Sequence, residues 1–325
     1  MSADRWTDDS GPGATMTTLG LGLVGPSDRL ERRVALWQTV DGVSVTAVAP
    51  TDGVSPAVDT TTVETVPALV DTGKVDALDC VTAPARTREI ALEAIEQDVP
   101  VLLPWPVAES VGDASAVADA ATEADCLVLP TLTSRFAPPR VRAKARVDSG
   151  ALGSAGNVRA AHRYQQESVD GEDEDCDDGE LLAALGVELD FLQWVCGDLV
   201  RVFVRRAGIP AAVVTGRFAD DTVLHVTVRE AGTSGYGFEL AGDEGLVEFD
   251  TTDSPGVSTS NGAVPVGEVD PLRRVLVHFR ECVVGDAEPR VTVAEAADVL
   301  RIARAALDSE TTNEPVSIDT TQAND

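Results

Sequence analysis

The feature that most narrows the fold is an apolar strand that ends in glycine and turns at once into a helix. Leu19–Val24 carries no polar residue, Gly25 follows, Asp28–Val40 has helical spacing, and Val43–Val48 is strand-like again. A strand without polar alternation is buried on both faces, which is the condition of a parallel sheet covered by helices. The pattern continues with a strand at Ala77–Thr82, a helix at Thr87–Gln97 and a strand at Val99–Leu103. A helix at Ser110–Glu123 and a strand at Cys126–Leu129 complete it, while Val63–Leu69 reads either way. On the helix, Ile90, Ala91, Ala94 and Ile95 share one face. The expectation is an α/β unit with a doubly wound parallel sheet.

The pattern changes after Pro130. A Pro-bearing stretch, Phe136-Ala-Pro-Pro139, leads into a helix to about Ser149, and a strand follows at Val158–Tyr164. Gly179–Val195 is helical. Val200–Val204, Ala212–Phe218 and Val223–Val228 have the spacing of antiparallel strands, and helices are expected at Pro271–Val284 and Val293–Leu307. A chain of 325 residues buries enough surface for two domains. The expected division is a disordered tail over 1–18, a Rossmann-like domain over 19–133, an α+β domain over 134–309 with an open, largely antiparallel sheet, and a tail over 310–325 docked through Val316 and Ile318.

The formal net charge of -30 repels a phosphate backbone and an anionic bilayer, so neither nucleic acid nor membrane is an expected partner. Such self-repulsion is relieved by concentrated salt, which points to a halophilic protein. No apolar run has membrane-spanning length, and Met1–Thr18 lacks the basic and apolar regions of a signal peptide. Met16 is an alternative start. Cys80, Cys126, Cys176, Cys196 and Cys282 form no C-x-x-C pair and suit a reducing cytoplasm as small buried hydrophobes.

The glycine turn departs from the dinucleotide-binding pattern at several residues. A dinucleotide-binding turn reads G-x-G-x-x-G, so that backbone can approach a pyrophosphate at the helix N-terminus. Here Gly25 stands first, but Ser27 and Leu30 replace the other two glycines and Pro26 removes an N–H donor. Asp28 and Glu31 have capping-box spacing and are expected to cap the helix themselves. The second strand ends at Pro50, where a ribose-binding acid would stand; Asp52 reads as part of the turn Thr51-Asp-Gly53.

The order of segments resembles the Gfo/Idh/MocA oxidoreductases, NAD(P)-dependent enzymes acting mainly on sugars and polyols. The likeness covers most of residues 19–318. It rests on Val75-Asp-Ala-Leu-Asp-Cys-Val-Thr-Ala-Pro84, on Val101-Leu-Leu-Pro-Trp-Pro-Val-Ala108, on Ser149-Gly-Ala-Leu-Gly153, on Gly179–Asp190 with Trp194 and Gly197, on His278-Phe279, and on Pro289–Ala296. The resemblance implies a Rossmann domain, then an open sheet that commonly serves for homo-oligomers. It places Trp105 at the position of the family's Glu-Lys-Pro lysine. It places Ala183 and Val187, or in a register one residue later Ala184 and Glu188, at its Asp and His. A nucleotide would meet Gly25, Ser27, Ala83 and Pro84, and the cleft would be lined by Asp28, Trp105, Ala183 and Val187.

Glu188 is then a weak catalytic candidate, more simply read as a solvated helix face. His162, His225 and His278 read as structural. The acidic run Gly171–Gly179 lacks the EF-hand spacing, so no metal site is expected. With so many family positions substituted, the expectation is a non-catalytic binding, regulatory or partner subunit with no cofactor. The alternative is an NAD- or NADP-dependent oxidoreductase of altered specificity for a sugar or polyol, with Glu188, His162 or water carrying the proton.

Overall fold

The computed structural model describes residues 18–165, 178–206, 211–251, 254–259, 262–265 and 270–319. The first half alternates β1 (Leu19–Gly25), α1 (Ser27–Trp37), β2 (Val43–Pro50), β3 (Thr61–Thr62), α2 (Val66–Asp71), β4 (Ala77–Cys80), α3 (Pro84–Glu96), β5 (Val101–Leu103), α4 (Val111–Ala124) and β6 (Val128–Pro130). The strands form one parallel sheet in the order β3-β2-β1-β4-β5-β6. Every residue of β1 and β4 is buried; β1 is an unbroken apolar run, and in β4 the one charged residue, Asp79, is paired with Arg33 and accepts from Trp37 Nε1. The ambiguous segment 63–69 divides: its front follows the short edge strand β3, and Thr65 caps α2 by accepting the Ala68 N–H.

After a single 3-10 turn at Thr133–Phe136 come α5 (Pro138–Asp148), β7 (Ala155–Tyr164), α6 (Asp178–Cys196), β8 (Leu199–Arg206), β9 (Ala211–Phe218), β10 (Val223–Glu230), β11 (Gly235–Gly242), β12 (Leu246–Asp250), β13 (Ser254–Thr259), β14 (Gly262–Pro265), α7 (Pro271–Val283), α8 (Val293–Thr312) and β15 (Val316–Ser317). The nine strands run β14-β13-β12-β11-β7-β10-β9-β8-β15, antiparallel except where β7 pairs with β10. One face is apolar: Leu224, Val226 and Val228 of β10 are buried between exposed or half-exposed neighbours. That face is covered by α6, whose Phe191 packs edge-on against Phe238.

α8 holds the two halves together. It lies against α4 of the first sheet's helical layer and against α6 and β8 of the second. Its start is a capping box, Thr292 with Glu295, and it runs to Thr312, past the expected end near Leu307. The expected tail is ordered through 319: β15 pairs with β8, and the buried Ile318 donates its N–H to Val200 O.

Candidate active site

Strand order in the first sheet reverses beside β1, and the crevice at the carboxyl ends of β1 and β4 is where such sheets bind ligands. Gly25 ends β1 there. A Cβ on it would lie 2.5 Å from Val81 Cγ2, so the close approach of the two strand ends demands glycine. Ser27 opens α1. Asp28 and Glu31 do not cap it, contrary to the capping-box expectation. The carboxylate at this helix start belongs to Asp52: Oδ2 accepts the Ser27 N–H at 2.8 Å, and Oδ1 accepts from Ser27 Oγ at 2.9 Å and from the Val54 N–H at 3.1 Å. Asp28 is an exposed first-turn acid, and Glu31 accepts the Ala57 N–H instead. The Ser27 and Val54 amides hold the Asp52 carboxyl below its ordinary value.

Two arginines unmarked by any motif reach across the same rim. Arg29 Nη1 lies 3.5 Å from Val81 O, just past β4, and Arg86 Nη1 donates to Thr51 O at 3.1 Å, just past β2. Each is the third residue of a helix that follows a sheet strand, and that shared place is the sequence signal. Ala83 and Pro84 open α3 beside them.

Trp105 joins the sheet to the second half. Its backbone N–H donates to Thr131 Oγ1 at 3.1 Å and its Nε1 to Ala183 O at 2.9 Å. The indole lies on Gly186, where a Cβ would come within 2.2 Å of Cζ2. On α6, Ala183 and Val187 are half-exposed while Ala184 and Glu188 are buried. The helix therefore leaves the first of the two registers half-exposed, with apolar side chains, and encloses the second.

Glu188 is not on a solvated face. Only 1% of its side chain is exposed, because α6 is enclosed by α5, α8 and the sheet. Arg140, 2% exposed, donates from Nη2 to Glu188 Oε1 and from Nη1 to Val187 O at 3.3 Å. Its guanidinium lies over the rings of Phe191 and Tyr236, 4.6 and 4.4 Å from their centroids. His162 of β7 places Nδ1 2.8 Å from the same Glu188 oxygen. Burial pushes the Glu188 carboxyl upward, but the Arg140 charge and the His162 contact outweigh it and hold the group below its ordinary value. Burial raises the Tyr236 phenol.

The sequence reading of His162 as merely structural missed this contact, which joins residues 26 apart. His278 is buried in α7, and its Nε2 accepts the Arg290 N–H at 3.0 Å, a packing role. His225 lies between the buried Leu224 and Val226, hence on the other face of the sheet. Cys80, Cys126, Cys196 and Cys282 are free thiols. Burial pushes Cys80 and Cys282 up to about 11 and Cys196 to about 12, far from nucleophilic use. Among the described residues no His/Cys/Asp/Glu group has a metal-binding arrangement. Most of the acidic run, with Cys176, lies outside the described residues. No described helix is long and apolar enough to cross a membrane.

No protein-family model and no curated protein matches the sequence. Solved structures match it over more than nine-tenths of its length. An oxidoreductase domain protein from Kribbella flavida shares 20% identity with a TM-score of 0.81, over 94% of this chain and all of that one. An oxidoreductase from Agrobacterium radiobacter in complex with NAD+, L-tartaric acid and magnesium shares 18% with a TM-score of 0.76, over 93% and 98%. A levoglucosan dehydrogenase in complex with NADH and L-sorbose shares 15% with a TM-score of 0.79, over 94% and 100%. The two-sheet architecture is the Gfo/Idh/MocA fold. These findings correct the expectation of a non-catalytic subunit. The three structures named, matched over nearly their whole length, are two oxidoreductases and a dehydrogenase, two of them with a nicotinamide dinucleotide bound, and nothing in the present geometry shows a loss of activity.

Proposed function

We propose that this chain is a divergent Gfo/Idh/MocA oxidoreductase that uses NAD or NADP to oxidise a hydroxyl of a sugar or polyol, or to reduce the matching carbonyl. The observation that carries this reading is the match of more than nine-tenths of the chain to oxidoreductases, including two that hold NAD+ or NADH. The donor set of the crevice suits an anionic dinucleotide. Asp52 already serves the start of α1, so phosphate charge falls to Arg29 and Arg86, whose guanidinium groups sit by backbone carbonyls at the strand ends. Gly25 and Ser27 at the junction of β1 and α1, and Ala83 and Pro84 at the start of α3, are the residues that the dinucleotide would meet. When bound, the nicotinamide supplies a two-electron acceptor. The apolar wall of Trp105, Ala183 and Val187 packs against the reacting region and excludes water from it.

The test is calorimetric titration of NAD+ and NADP+ into the protein in molar salt, where its charge of -30 is screened. A panel of sugars and polyols is then scored by nicotinamide absorbance. Micromolar binding of one dinucleotide and turnover of at least one substrate are expected. Replacing Arg29 or Arg86 by Ala should weaken binding about tenfold, the worth of one charge-assisted hydrogen bond. Absence of dinucleotide binding would overturn the reading.

A further inference from the structure

We infer that His162 takes the proton of the substrate hydroxyl and that Glu188, backed by Arg140, holds the imidazole in position for it; this rests on the oxidoreductase reading. An alcohol gives up hydride only if a base accepts its hydroxyl proton. The cleft wall of Trp105, Ala183 and Val187 offers none. A carboxylate, an imidazole and an open edge meet instead at Glu188, the residue after Val187 on α6, and His162 of β7 beside it.

On β7, Val158, Ala160, His162 and Tyr164 share the face that α6 covers. The first two are buried and the last two half-exposed, so the core opens along this row. His162 stands at the opening with 17% of its side chain exposed. Its buried edge is Nδ1, 2.8 Å from Glu188 Oε1. Arg140 bonds to that same oxygen and keeps the carboxylate ionised. An ionised carboxylate only accepts, so Nδ1 carries the imidazole proton. The lone pair is then on Nε2, as in the dyads of hydrolases.

The groups facing the ring are Glu188 from α6, Arg140 beyond it from α5, Tyr236 as cross-strand neighbour on β11, Val228 on β10, and Tyr164 two residues on. Arg140 is fixed between two aromatic rings, so Glu188 cannot swing away. In the oxidative direction the substrate O–H bond breaks toward Nε2, hydride leaves the same carbon for the oxidised nicotinamide, and the carbonyl forms. The imidazolium gains the Glu188 charge as partner and later releases its proton to solvent. In reduction it donates that proton to the carbonyl oxygen. Glu188 is a positioning residue throughout.

Two readouts test this. In protein with 15N-labelled histidine, long-range 15N–1H spectra should show His162 as the Nδ1–H tautomer, and Glu188→Gln should disturb that state. An Nε2–H tautomer in the parent protein would overturn the assignment without any reference to turnover. If Glu188→Gln leaves Arg140 unpaired and the variant does not fold, Arg140→Met combined with Glu188→Gln replaces it. In the second readout, His162→Gln should keep dinucleotide affinity within about twofold while kcat falls by about a hundred- to ten-thousand-fold with KM little changed. The acid limb of kcat/KM, on which the base is protonated, should vanish with it. A variant that binds dinucleotide and keeps kcat or the acid limb would sink the role of His162 and leave the oxidoreductase reading standing. A parent protein that binds no dinucleotide would sink both.

Discussion

Asp52 and Glu188 are both carboxylates held below their ordinary values, and they reach that state by opposite routes. Asp52 is exposed at the strand ends of the first sheet, where backbone amides at a helix start hold it. Glu188 is enclosed beneath the second sheet, where burial works against its charge and only Arg140 and His162 keep it ionised. The first needs a helix end and a turn. The second needs three elements, α5, α6 and β7, brought together by the fold. A carboxylate of the second kind is costly to bury unless it is paired and hydrogen-bonded.

The largest expected effect breaks that second arrangement. Arg140→Met leaves Glu188 buried without a countercharge and should cost about 3–5 kcal/mol in chemical denaturation. Adding Glu188→Leu should restore most of the loss, because an apolar pair in the same volume needs no compensation. The pH dependence should change sign. In the parent protein the folded pKa of Glu188 is depressed, so its contribution is present above the unfolded value of about 4.3 and lost as pH falls through the folded one. In Arg140→Met only the His162 contact is left to oppose burial, the largest single influence, so the folded value rises and acidification stabilises. A loss at Arg140 equal to that in the double variant would show that the pair contributes nothing.

The same contrast decides what was legible in the sequence. The strands of the first sheet and the helices between them were readable because their signals are local: unbroken apolar runs and one-sided helical spacing. Asp52 was legible as a turn residue, and it does form the turn to Val54. Its bond to Ser27, 25 residues away, was not. Glu188 was misread because amphipathic spacing assigns the polar positions of a helix to water. α6 has no such face over most of its length: Leu181, Leu185, Leu189 and Leu192 point one way, and Ala184, Glu188 and Phe191 are buried on another. A helix enclosed on several sides needs a partner for every polar residue, and Arg140 lies 48 residues back in the chain.

Trp105 is where the two regions meet, and Gly186 is the test of that contact. Alanine at 186 gains about 1 kcal/mol of helix propensity. Its methyl would fall 2.2 Å from Trp105 Cζ2, and overpacking costs about 1–3 kcal/mol. A net loss of stability is expected, with a shift in tryptophan emission as the indole leaves Ala183 O. Combining Gly186→Ala with Trp105→Leu should recover the stability by removing the ring. If Gly186→Ala alone stabilises the protein, the indole is not fixed on the helix.

The smallest effect on stability, and the sharpest on the crevice, is expected of Asp52→Asn. Asn keeps one acceptor oxygen, enough for the Ser27 N–H or the Val54 N–H but not both, so the melting temperature at neutral pH should fall only slightly. The difference emerges in acid. Because the folded value of Asp52 is depressed, its share of stability is present above the unfolded value of about 3.9 and is lost as pH falls below it. The acid limb of melting temperature against pH should therefore be shallower in the variant. Dinucleotide affinity gives the second reading. With Arg29 and Arg86 as phosphate partners, removing a negative charge from the same rim should tighten binding. A weaker complex would mean that Asp52 leaves Ser27 to accept ribose hydroxyls, and that the bond capping α1 gives way when the dinucleotide binds.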